Sequence, residues 1–220
     1  RDLTRGDLGT SLFTGQPVTQ DLKWRVPATL ELTVLSVILC VIIGVPLGIF
    51  IALRKGGVAE RVVFVYGMIT GGIPDFWLGL ILVFVFFFLL RWAPAPMGRL
   101  GVMASPPETV TGFYLIDSAL QGDWETLGVA ASHLVLPVTT LVVVYMGLIV
   151  KMARSSMEEV AGADFMDYGR ACGLPRSTMI KYQLRNALAP VVTVVAFTNG
   201  YLLGGTVLVE KVFSWGGMGE

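Results

Sequence analysis

Residues that could carry out covalent or metal chemistry are few in this sequence and do not cluster. It has one histidine, His133, and its two cysteines, Cys40 and Cys172, fall in an apolar and a polar stretch respectively. A single histidine does not build a metal site, and no Ser/His/Asp arrangement of a hydrolase is present. The phosphate-binding pattern Gly-x-x-x-x-Gly-Lys-Ser/Thr is also absent, so this chain should not bind ATP. We therefore predict no catalytic, cofactor-binding or metal-binding residue here, and no cofactor.

One carboxylate, Asp75, lies inside a hydrophobic stretch next to Pro74. An acid inside a membrane is costly enough to suggest a water-filled path. Beside a proline it also suits a helix cap or a structural bend, and we favour that interpretation over the path. Glu31 and Glu210 lie at the ends of apolar stretches, where a charge costs little, so we expect both at the membrane interface.

The best-patterned polar segment runs from Arg154 to Pro190. Within it Met157, Val160 and Asp164-Phe165 recur at helical spacing, and the pattern reaches a glycine where a helix could stop. We predict two short helices that meet at Gly173, because a glycine lets the chain turn where a side chain would obstruct. The composition alone would fit a solvated loop equally well.

The composition indicates that lipid surrounds the elements that position this segment. Charged residues make up 15% of the chain and hydrophobic residues 54%, whereas a soluble domain has about 25% charged residues. Residues 32–53 carry no charge and, at about 1.5 Å per residue, are long enough to cross a hydrocarbon core of roughly 30 Å. The formal net charge is zero, which gives no indication of nucleic-acid binding.

Four membrane spans are predicted from the apolar stretches, in an all-α, polytopic helix bundle. They cover about 32–53, 76–90, 134–150 and 188–209. Residues 71–75, Gly-Gly-Ile-Pro-Asp, should break the helix that precedes the second span. Two pairs of glycines four residues apart, Gly44/Gly48 and Gly200/Gly204, should let neighbouring helices approach closely.

The distribution of Lys and Arg predicts the orientation of these spans. Loop 54–61 has three basic residues and loop 151–186 has six, against two in the connection 91–131. Positive charge next to spans stays on the cytoplasmic side, so the first two loops should be cytoplasmic. Arg1, Arg5, Lys23 and Arg25 in the N-terminal segment argue the other way.

Residue identities in and around the polar segment match a known family. The matching residues are Ser156-Met157, Glu159-Val160, Asp164-Phe165, Arg170-Ala171, Gly173-Leu174, Leu184-Arg185-Asn186-Ala187-Leu188 and Pro190. Further landmarks include residues 6–9, 27–32, 73–77, 122–124, 133–137 and 210–215. With these residues the chain resembles the inner-membrane permeases of the dipeptide, oligopeptide and nickel ABC importers. It departs from the general importer pattern at Asp167-Tyr168-Gly169, where Glu-Ala-Ala is usual. Cys172 stands where peptide permeases commonly have Lys, and Gly216 where Pro is often found.

The resemblance implies a fold, a location and a domain organisation. The fold would be the ABC-importer permease bundle, with about four of an expected six spans present and both ends truncated, in a bacterial or archaeal inner or plasma membrane. Residues 1–24 would be extracytoplasmic, 25–209 would form the permease domain with a cytoplasmic coupling loop at 151–186, and 210–220 would begin an extracytoplasmic loop.

The resemblance also implies a function without enzymatic activity in this chain. The subunit would form half of the translocation path of an ATP-driven importer, with a second homologous permease, two ABC ATPases, an extracytoplasmic solute-binding protein and membrane lipid as partners. Contact with an ATPase would fall to residues of the coupling loop, namely Met157, Glu159, Val160, Asp164, Phe165, Arg170, Ala171, Gly173 and Leu174. Dipeptides, oligopeptides, nickel chelates, glutathione and sugars all remain open as substrates.

Two other functional classes are compatible with the residues alone. An ion-coupled secondary transporter would use buried acids such as Asp75 and would need no ATP. A non-transporting membrane scaffold would use the irregular segment 71–75 only for packing. Co-purification of an ATPase pair would distinguish the importer from both.

Overall fold

The computed structural model describes residues 8–12, 14–54, 56–102 and 105–219. In these ranges the regular structure is helical, with residues 90–102 and 105–113 irregular, and the one strand-like pairing is a single bridge between Thr10 and Pro17. The helices are α1 (Val18–Leu53), α2 (Val58–Gly72), α3 (Asp75–Leu82), α4 (Tyr114–Gln121), α5 (Trp124–Ala161), α6 (Asp164–Ala171), α7 (Arg176–Gly205) and α8 (Val207–Phe213), with a π-helical segment at Val83–Leu89 after α3. The sequence landmarks at residues 6–7 and the basic residues Arg1, Arg5 and Lys55 lie outside the described ranges.

Three of these helices are long and apolar enough to cross a membrane. Their most apolar 18-residue windows have mean hydropathies of 2.9 in α1, 2.2 in α5 and 1.5 in α7. The broken pair formed by α2 with α3 and the π-helical segment meets the same criteria when its two parts are taken together, and gives a fourth span if it is counted as one. The predicted all-α membrane bundle with about four spans is therefore confirmed. The helices extend beyond the predicted spans. An apolar run marks only the part of a helix that can lie in lipid, and the helix continues into flanking residues that can adopt a helical backbone.

The predicted break between α2 and α3 falls at Ile73 and Pro74. Ile73 has an extended backbone (φ −95°, ψ 124°), the conformation that a following proline favours. Asp75 begins α3, and its carboxylate accepts the Phe76 N–H at 2.7 Å. The acid thus satisfies one of the amide groups that a helix N-terminus leaves without an intrahelical partner.

The described chain divides into two compact units, and each long helix contributes residues to both. The first unit contains the described residues up to Val34, Asp75–Thr140 and those from Leu203 onwards. The second contains Leu35–Pro74 and Leu141–Leu202. Buried residues such as Leu32, Val209 and Trp215 form the core of the first unit, and Ile51, Ile149 and Met157 are buried in the second.

The two acids expected at the membrane interface are buried within the protein, in the first unit. Glu31 is 6% exposed, pairs with Arg99 and accepts the Leu115 N–H at 2.8 Å. Glu210 is 1% exposed and accepts the Thr29 hydroxyl at 2.6 Å. The sequence did not reveal this burial by protein, whereas the interfacial depth of the two acids stays a prediction. A carboxylate can be buried when donors surround it, and here the donors come from distant parts of the chain.

A third buried acid, Asp117 of α4, holds the loop that precedes this helix. It accepts the backbone N–H groups of Thr111 at 2.8 Å and Gly112 at 2.9 Å, and the Thr111 hydroxyl at 2.6 Å. Burial alone would raise the pKa of the Asp117 carboxyl, but these hydrogen bonds outweigh it and hold the pKa below its ordinary value. The loop therefore depends on an ionised carboxylate.

One of the two glycine pairs packs as predicted, and the other meets no neighbour among the described residues. A Cβ atom at Gly48 would lie 2.7 Å from both the Ala153 Cβ and the Val150 carbonyl oxygen, so α1 and α5 touch backbone to backbone in the second unit. A Cβ atom at Gly200 or Gly204 would meet nothing within 4 Å among the described residues. The described residues thus supply no helix that packs on this second pair, and its role in packing stays a prediction.

Candidate functional site

The polar segment after the third span folds into the end of one long helix, one short helix and the start of another long helix. Helix α5 continues to Ala161, and Ala163 is extended (ψ 146°) before α6 begins. Of the two short helices predicted, α6 is present, whereas the other is the first part of the 30-residue α7. Met157 and Val160 therefore lie on α5, and Asp164-Phe165 on α6. The helical spacing of these residues continues across the break between α5 and α6, so the sequence pattern did not reveal the break.

Gly173 ends the short helix as predicted. Its φ of +72° lies in the left-handed region that favours glycine. The Gly173 N–H donates to the Arg170 carbonyl at 3.0 Å, and the Leu174 N–H donates to the Gly169 carbonyl at 3.1 Å. These bonds satisfy carbonyls that the end of a helix leaves free. A Cβ atom at Gly173 would meet nothing within 4 Å, so only the backbone conformation demands a glycine there.

Helix α6 contacts both long helices beside it, α7 through its buried inner face and α5 through an exposed arginine. Gly169 is buried, and a Cβ atom there would lie 2.9 Å from the Met179 sulfur of α7. The Arg170 guanidinium donates to the Ala161 carbonyl at the end of α5, at 2.9 Å, and pairs with Asp167 at 2.8 Å. Helix α6 is thus attached to α5 through a hydrogen bond and to α7 through close packing.

The outer face of α6 presents aromatic side chains among acidic ones. Tyr168 is 74% exposed and Phe165 is 45% exposed. Asp164 and Asp167 are also exposed. Such a face, apolar in part and open to solvent, is typical of a protein contact surface. Tyr168 was missed as a site residue, although its position three residues after Phe165 places it on the same helix face.

The predicted coupling residues lie at different depths. Seven of them are exposed, namely Glu159, Asp164, Phe165, Arg170, Ala171, Gly173 and Leu174. Val160 is half-buried, and Met157 is 1% exposed in a core cluster with Ala52 and Ala187. The Gln183 amide donates to the Met157 carbonyl at 2.7 Å. Met157 thus belongs to the buried core beneath the segment rather than to its exposed surface.

Helix α7 carries a second unusual surface in the second unit. It has the lowest mean hydropathy of the three long helices, and only 22% of its most apolar window is buried, against 39% for α1 and 50% for α5. One exposed face consists of small and polar residues at helical spacing, namely Ala189, Thr193, Ala196 and Gly200. Exposed Val192 (65%) and Phe197 (77%) flank this stripe, so α7 presents bulky apolar residues beside small and polar ones. The stripe is the part of the surface suited to contact with a partner helix or with water.

The chain matches one family model and several curated relatives. The model for "Binding-protein-dependent transport system inner membrane component" matches residues 44–220. Over 99% of its length the chain is 42% identical to the probable D,D-dipeptide transport system permease protein DdpB of Escherichia coli K12, covering 64% of that protein. It is 37% identical to the dipeptide transport system permease proteins DppB of Alkalihalophilus pseudofirmus and E. coli K12, with 66% and 64% of them covered. The chain thus spans slightly less than two thirds of these relatives.

Proposed function

The chain belongs to the family of binding-protein-dependent transport system inner membrane components, and on this premise we propose that it is the permease subunit of an ATP-driven importer. It forms half of a translocation path for peptides or similar small solutes, since its relatives are named as dipeptide permeases. Its partners are a second homologous permease, two ABC ATPases and an extracytoplasmic solute-binding protein. The observation that carries the proposal is α6, a short surface helix braced on two spans.

Helix α6 is suited to transmit force from an ATPase to the membrane helices. Its exposed face, with Phe165 and Tyr168, forms the contact with the ATPase. The helix is fixed to α5 through Arg170 and to α7 through Gly169. A displacement of α6 therefore moves the ends of both long helices, which is the kind of rigid-body switch that alternating access requires. Met157 acts indirectly, by anchoring the end of α5 in the core.

The small and polar face of α7 forms part of the wall of the path. It joins Thr193 to Gly200 in the second unit and leaves space beside the glycine. A peptide is polar along its backbone, so its path must accept water and amide groups, which a bulky apolar surface does not. The ion-coupled alternative would need Asp75 as an ion site, whereas its carboxylate is hydrogen-bonded at the N-terminus of α3.

Site-specific photo-cross-linking tests the proposal. A photoreactive amino acid replaces Tyr168 in the full-length permease, purified with its associated subunits, and the cross-linked products are identified by mass spectrometry. We expect an ATPase subunit to be captured from Tyr168, and none from Leu120, an equally exposed residue of α4 (66%) in the other unit. Transport-active complexes in which Tyr168 never captures an ATPase would refute the assignment of α6.

A further inference from the structure

An open groove runs between α2 and α5 on the surface of the second unit. Its volume is about 540 Å³, within the roughly 300–1,000 Å³ of typical small-molecule sites. Phe64, Met68 and Leu148 line its apolar walls, and Lys151 lies at one end. We call this feature the α2–α5 groove.

The groove exists because the two helices touch along one line and separate outside it. Gly147 lies at the contact, where a Cβ atom would be 3.2 Å from the Thr70 hydroxyl. The Tyr66 hydroxyl donates to the Val143 carbonyl along the same line. Gly67 and Gly71 also line the groove, and a Cβ atom at either would meet nothing within 4 Å. The absence of these two side chains leaves the space open.

The polar end of the groove has an excess of positive charge. Arg154 is held between Glu60 and Glu158 in two ion pairs. Lys151 and Arg61 are exposed and form no ion pair within the described part of the chain. Arg61 lines a neighbouring hollow that shares Phe64 and Arg154 with the groove. Lys151 in the groove and Arg61 in the neighbouring hollow thus add positive charge to the polar end of a mostly apolar channel.

The surface around the groove is of the kind that faces lipid. Helix α2 exposes bulky apolar side chains, with Phe64 at 63%, Met68 at 67% and Ile69 at 54%. In a membrane, an apolar channel that ends in unpaired cations matches a molecule with an acyl chain and an anionic headgroup.

The geometry points to the α2–α5 groove as a binding site for one anionic phospholipid. An acyl chain lies along Phe64, Met68 and Leu148, and the phosphate contacts Lys151 and Arg61. The site is distinct from α6 and from the face of α7, and it does not depend on which solute is transported. The basic end lies in the leaflet that retains positive charge, where acidic lipids provide the matching attraction.

Lipid photo-cross-linking in nanodiscs tests this site. The full-length protein with its associated subunits is placed in phosphatidylcholine nanodiscs that contain a trace of phosphatidylglycerol with a photoreactive acyl chain. We expect labelled peptides from residues 63–71 and 144–158, several-fold more than with photoreactive phosphatidylcholine. Lys151→Gln should lower the phosphatidylglycerol labelling about five-fold, the effect of losing one lysine near an anionic lipid. Lys181→Gln, at an exposed lysine of α7, should leave it unchanged.

A second pair of variants tests the channel independently of charge. Gly71→Leu fills the groove without a clash and should reduce labelling by both lipids. Gly72→Leu, at an equally open glycine of α2 that does not line the groove, should not. Equal labelling by the two lipids, or labelling unchanged by Lys151→Gln, would identify only bulk lipid and overturn the proposal. Absence of labelling with cross-links to another subunit would overturn it too, because a protein would then cover the groove.

Discussion

Replacing Gly173 should separate ATP hydrolysis from transport, and a matched glycine elsewhere allows a sharp test. Gly173 has a φ of +72° and open space around it. A residue with a Cβ in the left-handed region costs roughly 1–2 kcal/mol, which shifts the equilibrium away from the native turn by about 5- to 30-fold. The strain acts where α6 turns into α7, so Gly173→Leu should hydrolyse ATP with a much smaller solute uptake per ATP.

Gly122 provides the control, since it ends α4 with a φ of +71° and equally open space. Gly122→Leu should cost the same stability without uncoupling. The assay measures ATP hydrolysed and solute imported by the full transporter in proteoliposomes, and thermal unfolding verifies that both variants lose similar stability. Gly173→Asn should recover part of the coupling, because asparagine tolerates the left-handed region best after glycine. Normal coupling in a folded Gly173→Leu variant, or equal uncoupling by Gly122→Leu, would refute the reasoning.

Two further predictions concern the buried acids of the first unit. Glu31→Gln leaves the Arg99 guanidinium buried without its counter-charge, so the variant should lower the free energy of unfolding by about 3–5 kcal/mol. Glu108→Gln, at an exposed acid, should change the free energy of unfolding little. Equal losses of stability for the two variants, measured by thermal unfolding in detergent, would contradict the prediction. Asp117→Asn should destabilise the protein at neutral pH by about 1.5–3 kcal/mol per lost hydrogen bond and should flatten its acid sensitivity. Because the folded pKa of Asp117 is lowered, its contribution is complete above the ordinary value of 3.8 and is lost as the pH falls through the folded pKa. Unfolding temperatures between pH 7 and pH 3 that fall in parallel for the two proteins would contradict this.

The membrane spans and the break in the second one could be predicted because their signals are local. An uncharged run of sufficient length and a Gly-Gly-Ile-Pro-Asp sequence act on the residues that contain them. The end of α6 at Gly173 is equally local, since the need for a positive φ depends on the turn alone. These features required no knowledge of what packs against them.

Burial and partners could not be predicted, because they depend on residues far away in the chain. Glu31 is neutralised by Arg99, 68 residues later, and nothing near either residue reveals the pairing. Met157 shares the helical pattern of the exposed coupling residues, yet Ala52 and Ala187 from other helices enclose it. Gly200 has the spacing of a packing motif, but no neighbour among the described residues reaches it.

The hydrogen bond between Thr29 and Glu210 also imposes an order on biosynthesis. The two residues are separated by 181 positions, and a ribosome that adds about 5–20 residues per second needs roughly 10–35 s to make that stretch. During this delay the hydroxyl of Thr29 lacks its carboxylate acceptor, although Glu31 nearby can already pair with Arg99. The start of α1 thus reaches its final environment only after α8 has been made, and nascent chains halted before α8 should be more open to proteolysis near the start of α1.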